Sequence, residues 1–167
     1  IVLANFLYKI AKCKKEWELE NWIEKAIKKL RKRIGVEKKV ILGLSGGVDS
    51  SVTAVLLHKA IGDRLHCIFV NNGLLRKKEE VKVQKIFKEE LGFKHFHYID
   101  AEQLFLDNLR NIEDPEEKRR IIGHIFIEVF EQKTIELEQI YPNIEFLAQG
   151  TIYPDRVETS ATSKSSV

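Results

Sequence analysis

Several things this chain lacks bound what it can be. Among its 167 residues there is no methionine, at position 1 or anywhere else, so the sequence reads as a piece of a longer polypeptide. Its two cysteines, Cys13 and Cys67, form no CxxC pair and have no His or Cys at zinc spacing, which argues against a disulfide framework or a cysteine-built metal centre and suits a reducing compartment. Cys67 lies inside the apolar stretch 65–70 and reads as core filling, whereas Cys13 sits in a charged segment. No apolar run approaches the ~20 residues of a membrane helix, and residues 1–8 lack the basic leader and cleavage site of a secretory signal. A cytoplasmic location and no membrane partner are expected. Charge of one sign is scarce too, since 28 Lys and Arg against 25 Asp and Glu leave +3. The basic runs at 12–15 and 28–33 are not interleaved with aromatics that could stack on bases, so they read as solvated faces and no nucleic-acid partner is expected.

What is present is the balance of a folded domain, 44% apolar and 32% charged, at a length that one core can serve. Leu19, Trp22, Ile23, Ala26, Ile27, Leu30 and Ile34 recur at helical spacing and Gly35 closes the run, which predicts an amphipathic helix. Short β-branched or apolar runs at 39–44, 65–70, 93–99 and 144–148 then alternate with helical compositions at 50–60, 79–91 and 115–139. Strand and helix in alternation predict a doubly wound parallel α/β sheet with helices on both faces. In such sheets ligands collect beyond the carboxyl ends of the strands, which directs attention to the turns at 45–51, 71–76 and 149–158.

Ser45-Gly46-Gly47-Val48-Asp49-Ser50-Ser51 joins the first strand to a helix. Gly46 and Gly47 permit positive φ and close backbone approach, Ser45, Ser50 and Ser51 bring hydroxyl donors, and the helix start brings unpaired N–H groups with the positive end of a dipole. Together they predict an anion cradle. The loop lacks the Lys of a Walker A sequence and the GxGxxG spacing of a dinucleotide fold. Asp49 points to a cation, because a carboxylate beside bound phosphate is repulsive without one between them. The five histidines are dispersed, and His95 and His97, alternating on one expected strand, read as core or edge residues rather than metal ligands. A module that binds ATP without splitting it remains an alternative, opposed by the acidic residues near the expected phosphate site.

SGGVDSS resembles the SGGxDS loop of the N-type ATP pyrophosphatases. The resemblance implies an adenine nucleotide alpha hydrolase-like, Rossmann-like fold and cleavage of ATP between its α and β phosphates. It implies that Ser45, Gly46, Gly47, Val48, Asp49, Ser50 and Ser51 hold pyrophosphate, that Asp49 places Mg2+, and that the backbone at Val70 meets the adenine. Three further segments, residues 70–77, 114–123 and 146–155, resemble their counterparts in glutamine-hydrolysing GMP synthetases, in the same order. NAD synthetase and other pyrophosphatases that share the loop are the alternatives.

Membership of that family would mean adenylation of XMP by ATP with Mg2+, then displacement of AMP by ammonia from a glutaminase domain or subunit. By the same resemblance, Arg76 would hold the XMP phosphate, and Asp155 and Glu158 would contact XMP and assist its adenylation. Residues 1–17 would be a linker from an N-terminal glutaminase domain and 18–158 the pyrophosphatase domain. Residues 159–167 would be the remnant of a mobile lid, ahead of a C-terminal domain that makes the homodimer. The cluster Lys118, Arg119 and Arg120 is explained as a helix start, with Glu116 and Arg120 as an i, i+4 pair.

Overall fold

The structure, a computed structural model, describes residues 2–14 and 19–151. A short helix α1 (Val2–Asn5) runs into a π-helical turn, Phe6–Ile10, and α2 (Leu19–Ile34) follows. The remaining elements are β1 (Lys39–Gly43), α3 (Val48–Ile61), β2 (Leu65–Asn71), α4 (Glu79–Gln84) with a π-helical turn Lys85–Glu90, β3 (Phe96–Asp100), α5 (Glu102–Leu109), α6 (Pro115–Ile140) and β4 (Ile144–Ala148).

The four strands form one sheet in the order β3-β2-β1-β4, and every neighbouring pair is parallel. β2 is buried at all seven positions, its apolar run broken only by His66 and its last residue Asn71, as befits a central strand covered on both faces. β4 alternates between intermediate and exposed positions, the pattern of a strand at the sheet's edge. The chain leaves β1 toward β2 on one side and returns to pair β4 on the other, so the carboxyl ends of β1 and β4 form the point where strand order reverses.

Each face carries its own core. Val40, Leu42, Leu44, Cys67 and Phe69 pack under α2, α3 and α4, where Ile34, Ala54, Leu57, Val83 and Phe87 close the layer. Ile41, Ile68 and Val70 face the other way and meet Phe105 of α5 and Ile125 and Leu137 of α6. Helices therefore cover both faces of a parallel sheet, as expected from the alternation of elements.

Local chemistry explains the element ends. Gly35, at φ +78°, closes α2 in a conformation that few other residues tolerate. Pro115 opens α6, and Asp114 Oδ2 accepts the Glu117 N–H at 2.8 Å, a side-chain cap on that helix. The expected Glu116–Arg120 pair is replaced by two pairs at i, i+3 spacing, Glu116 with Arg119 and Glu117 with Arg120. Both spacings place side chains on one helix face, and the shorter reach prevails here. α5 was absent from the sequence reading; Phe105, fully buried, anchors it.

Candidate active site

The loop after β1 is held mainly by its own side chains. Ser45 N–H donates to Ser50 Oγ at 3.2 Å, the two hydroxyl oxygens lie 2.9 Å apart, and Ser50 Oγ donates to the Gly47 carbonyl at 3.2 Å. Ser51 Oγ donates to that same carbonyl at 2.7 Å, and Gly47 N–H reaches Ser45 Oγ at 3.3 Å. The serine hydroxyls expected to face a ligand are thus engaged in shaping the loop. Anion-binding capacity falls to the N–H groups of Val48, Asp49 and Ser50, which open α3 and have no carbonyl one turn back.

The two glycines also divide their work differently from expectation. Gly46 takes φ +80°, and a Cβ there would stand 2.9 Å from Val83 Cγ2, so its missing side chain lets α4 pack on the loop. Gly47 is extended, with φ −74° and ψ 167°, and serves as the N-cap of α3 without a side chain that would occupy the anion position. Asp49 is exposed in the first turn of α3, and its carboxylate makes no hydrogen bond or ion pair with any described residue.

Across from this loop lies the turn that ends β4. A Cβ on Gly150 would stand 2.8 Å from Ser50 N and 3.1 Å from the Asp49 carbonyl carbon, so the two strand-end turns are in direct backbone contact. Together they floor a cleft of about 400 Å³, lined by Leu44, Ser45, Ser50, Gln149 and Gly150 and walled by Phe126, Ile127 and Phe130 of α6. That is a largely apolar slot with polar groups at one end, suited to a planar ring carrying an anionic group.

A second cleft of about 400 Å³ opens beyond β2 and β3, bordered by Arg76, Lys77, Lys78, Tyr98 and Asp100. Asn71 organises it. Its amide donates to Asp100 Oδ1 at 3.1 Å and to Glu102 Oε2 at 3.4 Å, while its oxygen accepts the Gly73 N–H at 3.1 Å. Arg76 is pinned by its backbone, whose N–H donates to Glu79 Oε2 at 2.9 Å and whose carbonyl accepts the Glu79 N–H at 2.9 Å. Its exposed guanidinium has no acidic partner among the described residues. Val70 is 5% exposed, with its side chain in the α6-facing core, so only its backbone borders this end of the sheet.

The structure therefore brings Ser45 and Ser50 together with Gln149 and Gly150 at one cleft, with the Asp49 backbone against Gly150, while Gly46, Gly47, Val48 and Ser51 belong to the same loop without lining that cleft, and Arg76 borders a second one. Asp155 and Glu158 lie outside the described residues. Sequence reasoning missed the Asn71–Asp100–Glu102 network and the aromatic wall of α6. The Asn71-Asn72-Gly73 turn was the visible signal for the first. The second had none, because Phe126 and Phe130 reach the cleft only through the packing of a long helix.

The loop and the free Asp49 carboxylate fit a magnesium-bound polyphosphate: unpaired N–H groups meet the anion and an unpaired carboxylate stands ready for the cation. Comparison with known proteins bears on the family of the chain. The chain matches the NAD synthase family model over residues 17–120. A glutamine-hydrolysing GMP synthase of Brachyspira hyodysenteriae is 51% identical over 158 residues, 95% of this chain and 30% of that protein. One from Thermosipho melanesiensis is 52% identical over 165 residues, 99% of this chain and 32% of that protein. The chain thus spans about a third of the length of these relatives. Among solved structures, an NH3-dependent NAD synthetase from Campylobacter jejuni superposes with a TM-score of 0.61 at 14% identity, over 89% of this chain and 74% of its own. A U34-tRNA thiolase from Methanococcus maripaludis does so with a TM-score of 0.59 at 25% identity, over 90% of this chain and 53% of its own. On its loop, its parallel sheet and these matches, the chain belongs to the NAD synthase family of N-type ATP pyrophosphatase domains.

Proposed function

We propose that this chain is the ATP-splitting portion of a glutamine-hydrolysing GMP synthase. The observation that carries the reading is the Ser45–Ser51 loop, internally bonded, with unpaired N–H groups and a free Asp49 carboxylate at the point where strand order reverses. Roughly half identity to GMP synthases along nearly the whole chain supports XMP as the acceptor.

In the reaction, an oxygen of the xanthine base attacks the α-phosphorus of ATP, and the bond from that phosphorus to the β-bridging oxygen breaks, so that pyrophosphate leaves. Ammonia then attacks the adenylated ring carbon and AMP departs, which leaves GMP. The N–H groups of Val48, Asp49 and Ser50 receive the charge that builds on the leaving pyrophosphate, in place before the reaction begins. Asp49 would hold magnesium, which when bound would supply positive charge to that same leaving group. The backbone at Val70 borders the adenine, and the Arg76 guanidinium grips the XMP phosphate through its two-pronged donor face. Asp155 and Glu158 contact XMP and assist its adenylation.

The longer protein supplies the rest: ammonia from a glutaminase domain or a separate subunit, and a C-terminal domain through which a homodimer forms. A cytoplasmic setting suits substrates of this kind, and no helix among the described residues is long and apolar enough to cross a membrane.

NAD synthesis is the second reading, favoured by the family model; the NAD synthetase superposition, at 14% identity, speaks for the fold alone. Incubating the intact protein with ATP, Mg2+, ammonium and either XMP or the carboxylate precursor of NAD separates the two. Pyrophosphate and GMP released together with XMP support the proposal; pyrophosphate only with the NAD precursor overturns it.

A further inference from the structure

At the amino end of the sheet, opposite the phosphate loop, three histidines from different parts of the sequence meet. His66, the second residue of β2, is fully buried. It stacks on His95 at 4.3 Å between ring centroids, and its Nδ1 lies 3.2 Å from Nε2 of His97 on β3. Tyr141 packs its ring edgewise at 4.5 Å, closing the group beneath the end of α6. One ligating nitrogen from each of the three lies within 4.8 Å of the others. The Nε2 of His66 is buried with no hydrogen-bond partner, so it is Nδ1 that meets His97.

We propose that His66, His95 and His97 form a binding site for a divalent transition-metal ion of the zinc type, remote from the nucleotide site and structural in role. Imidazole nitrogens bound to tetrahedral zinc at 2.0–2.1 Å stand about 3.3 Å apart. The His66–His97 pair is already at that separation. His95 must close the remaining gap, and its position allows this. Its carbonyl is fixed by the Cys67 N–H at 2.8 Å, but its ring is only half-buried, in the turn just before β3.

The electrostatic surroundings favour neutral rings, the form that ligates a metal. Burial, then His95, His97 and Lys39, hold His66 down to about 4. Burial, then Lys133 and His95, do the same for His97, with Glu136 opposing and Lys88 adding weakly. The nearby cations do not block an ion, because each has its own partner. Lys39 Nζ donates to the Pro142 carbonyl at 2.8 Å, and Lys133 Nζ pairs with Glu136 at 2.8 Å. A metal here would tie β2 to the turn entering β3 beside the entry to β4. The inference does not depend on the proposed acceptor.

The test is calorimetric titration of Zn2+ alone into the intact protein, prepared without a polyhistidine tag, beside His95→Gln and His97→Gln. Both altered rings are half-buried, so the variants keep the fold, as circular dichroism will verify. We expect one zinc per chain at this site, an affinity about tenfold or more weaker in each variant, and a zinc-dependent rise in melting temperature that the variants lose. Co2+ bound in place of zinc should show the visible bands of tetrahedral nitrogen coordination. Absence of zinc binding by the unaltered protein, or equal affinity in both variants, overturns the proposal.

Discussion

Gly150 lies so close to Ser50 that a single added carbon would stand 2.8 Å from the Ser50 nitrogen. The turn after β4 therefore sets the position of the first turn of α3, and with it the N–H groups proposed to receive the phosphates. The obstacle is backbone on both sides, so neither partner can swing away.

Gly150→Ala should displace the loop or be accommodated by strain of about 1–3 kcal/mol. We expect weaker ATP binding together with a lowered melting temperature. Calorimetry and thermal denaturation of the same preparation check both, and an unchanged ATP affinity would show the contact to be dispensable.

Asp49→Asn should behave differently. Its carboxylate makes no hydrogen bond or ion pair with any described residue, so stability should change by less than about 1 kcal/mol through the helix dipole alone. Magnesium-dependent ATP binding should fall sharply while binding measured without magnesium changes little. A titration in the presence and absence of Mg2+ separates this from general damage to the loop.

For Arg76→Ala, the guanidinium is exposed and has no acidic partner among the described residues, so its loss should leave the fold intact. Removing a charge-assisted phosphate contact of about 1.5–3 kcal/mol predicts a KM for XMP raised roughly 10- to 100-fold, with the KM for ATP nearly constant. Steady-state kinetics with each substrate varied in turn will show whether the effect is confined to XMP.

The two cysteines should differ in reactivity. Burial pushes the Cys67 thiol up to about 12, whereas Cys13 is exposed. Brief alkylation of the native protein followed by peptide mapping should label Cys13 and spare Cys67, with both labelled in denaturant. The sign of the pH effect follows. The folded state keeps the Cys67 proton to about 12 while the unfolded chain loses it near 9. This contribution to stability is full below pH 9 and disappears as pH rises toward 12. A Cys67→Ala variant should lose that part of the alkaline slope.

Much of the architecture was legible because its elements carry strong local signals. β2 is rich in apolar residues, α6 begins at Asp114-Pro115, and SGGVDSS sits at a strand's end. What escaped was tertiary. α5 is eight residues long and depends on Phe105 for its buried contact, too little for a period to stand out. The hydrogen bonds by which Ser50 and Ser51 shape the loop were not legible, because composition cannot tell which acceptor, such as the Gly47 carbonyl, a hydroxyl meets. His95 and His97 looked unremarkable as a pair, since their third partner is on β2, and only strand pairing makes them neighbours.

The exposed flank of β4 bears on how the protein can be handled. Along it runs an apolar groove of about 440 Å³ between Ile144, Phe146 and Leu147 on one side and Phe130 and Ile135 on the other, with Leu147 68% exposed. The strand's outer edge has no partner among the described residues. Backbone donors and acceptors in that state, beside uncovered aliphatic surface, template the addition of strands from other molecules. Among the described residues, this flank is the part of the surface that most favours self-association.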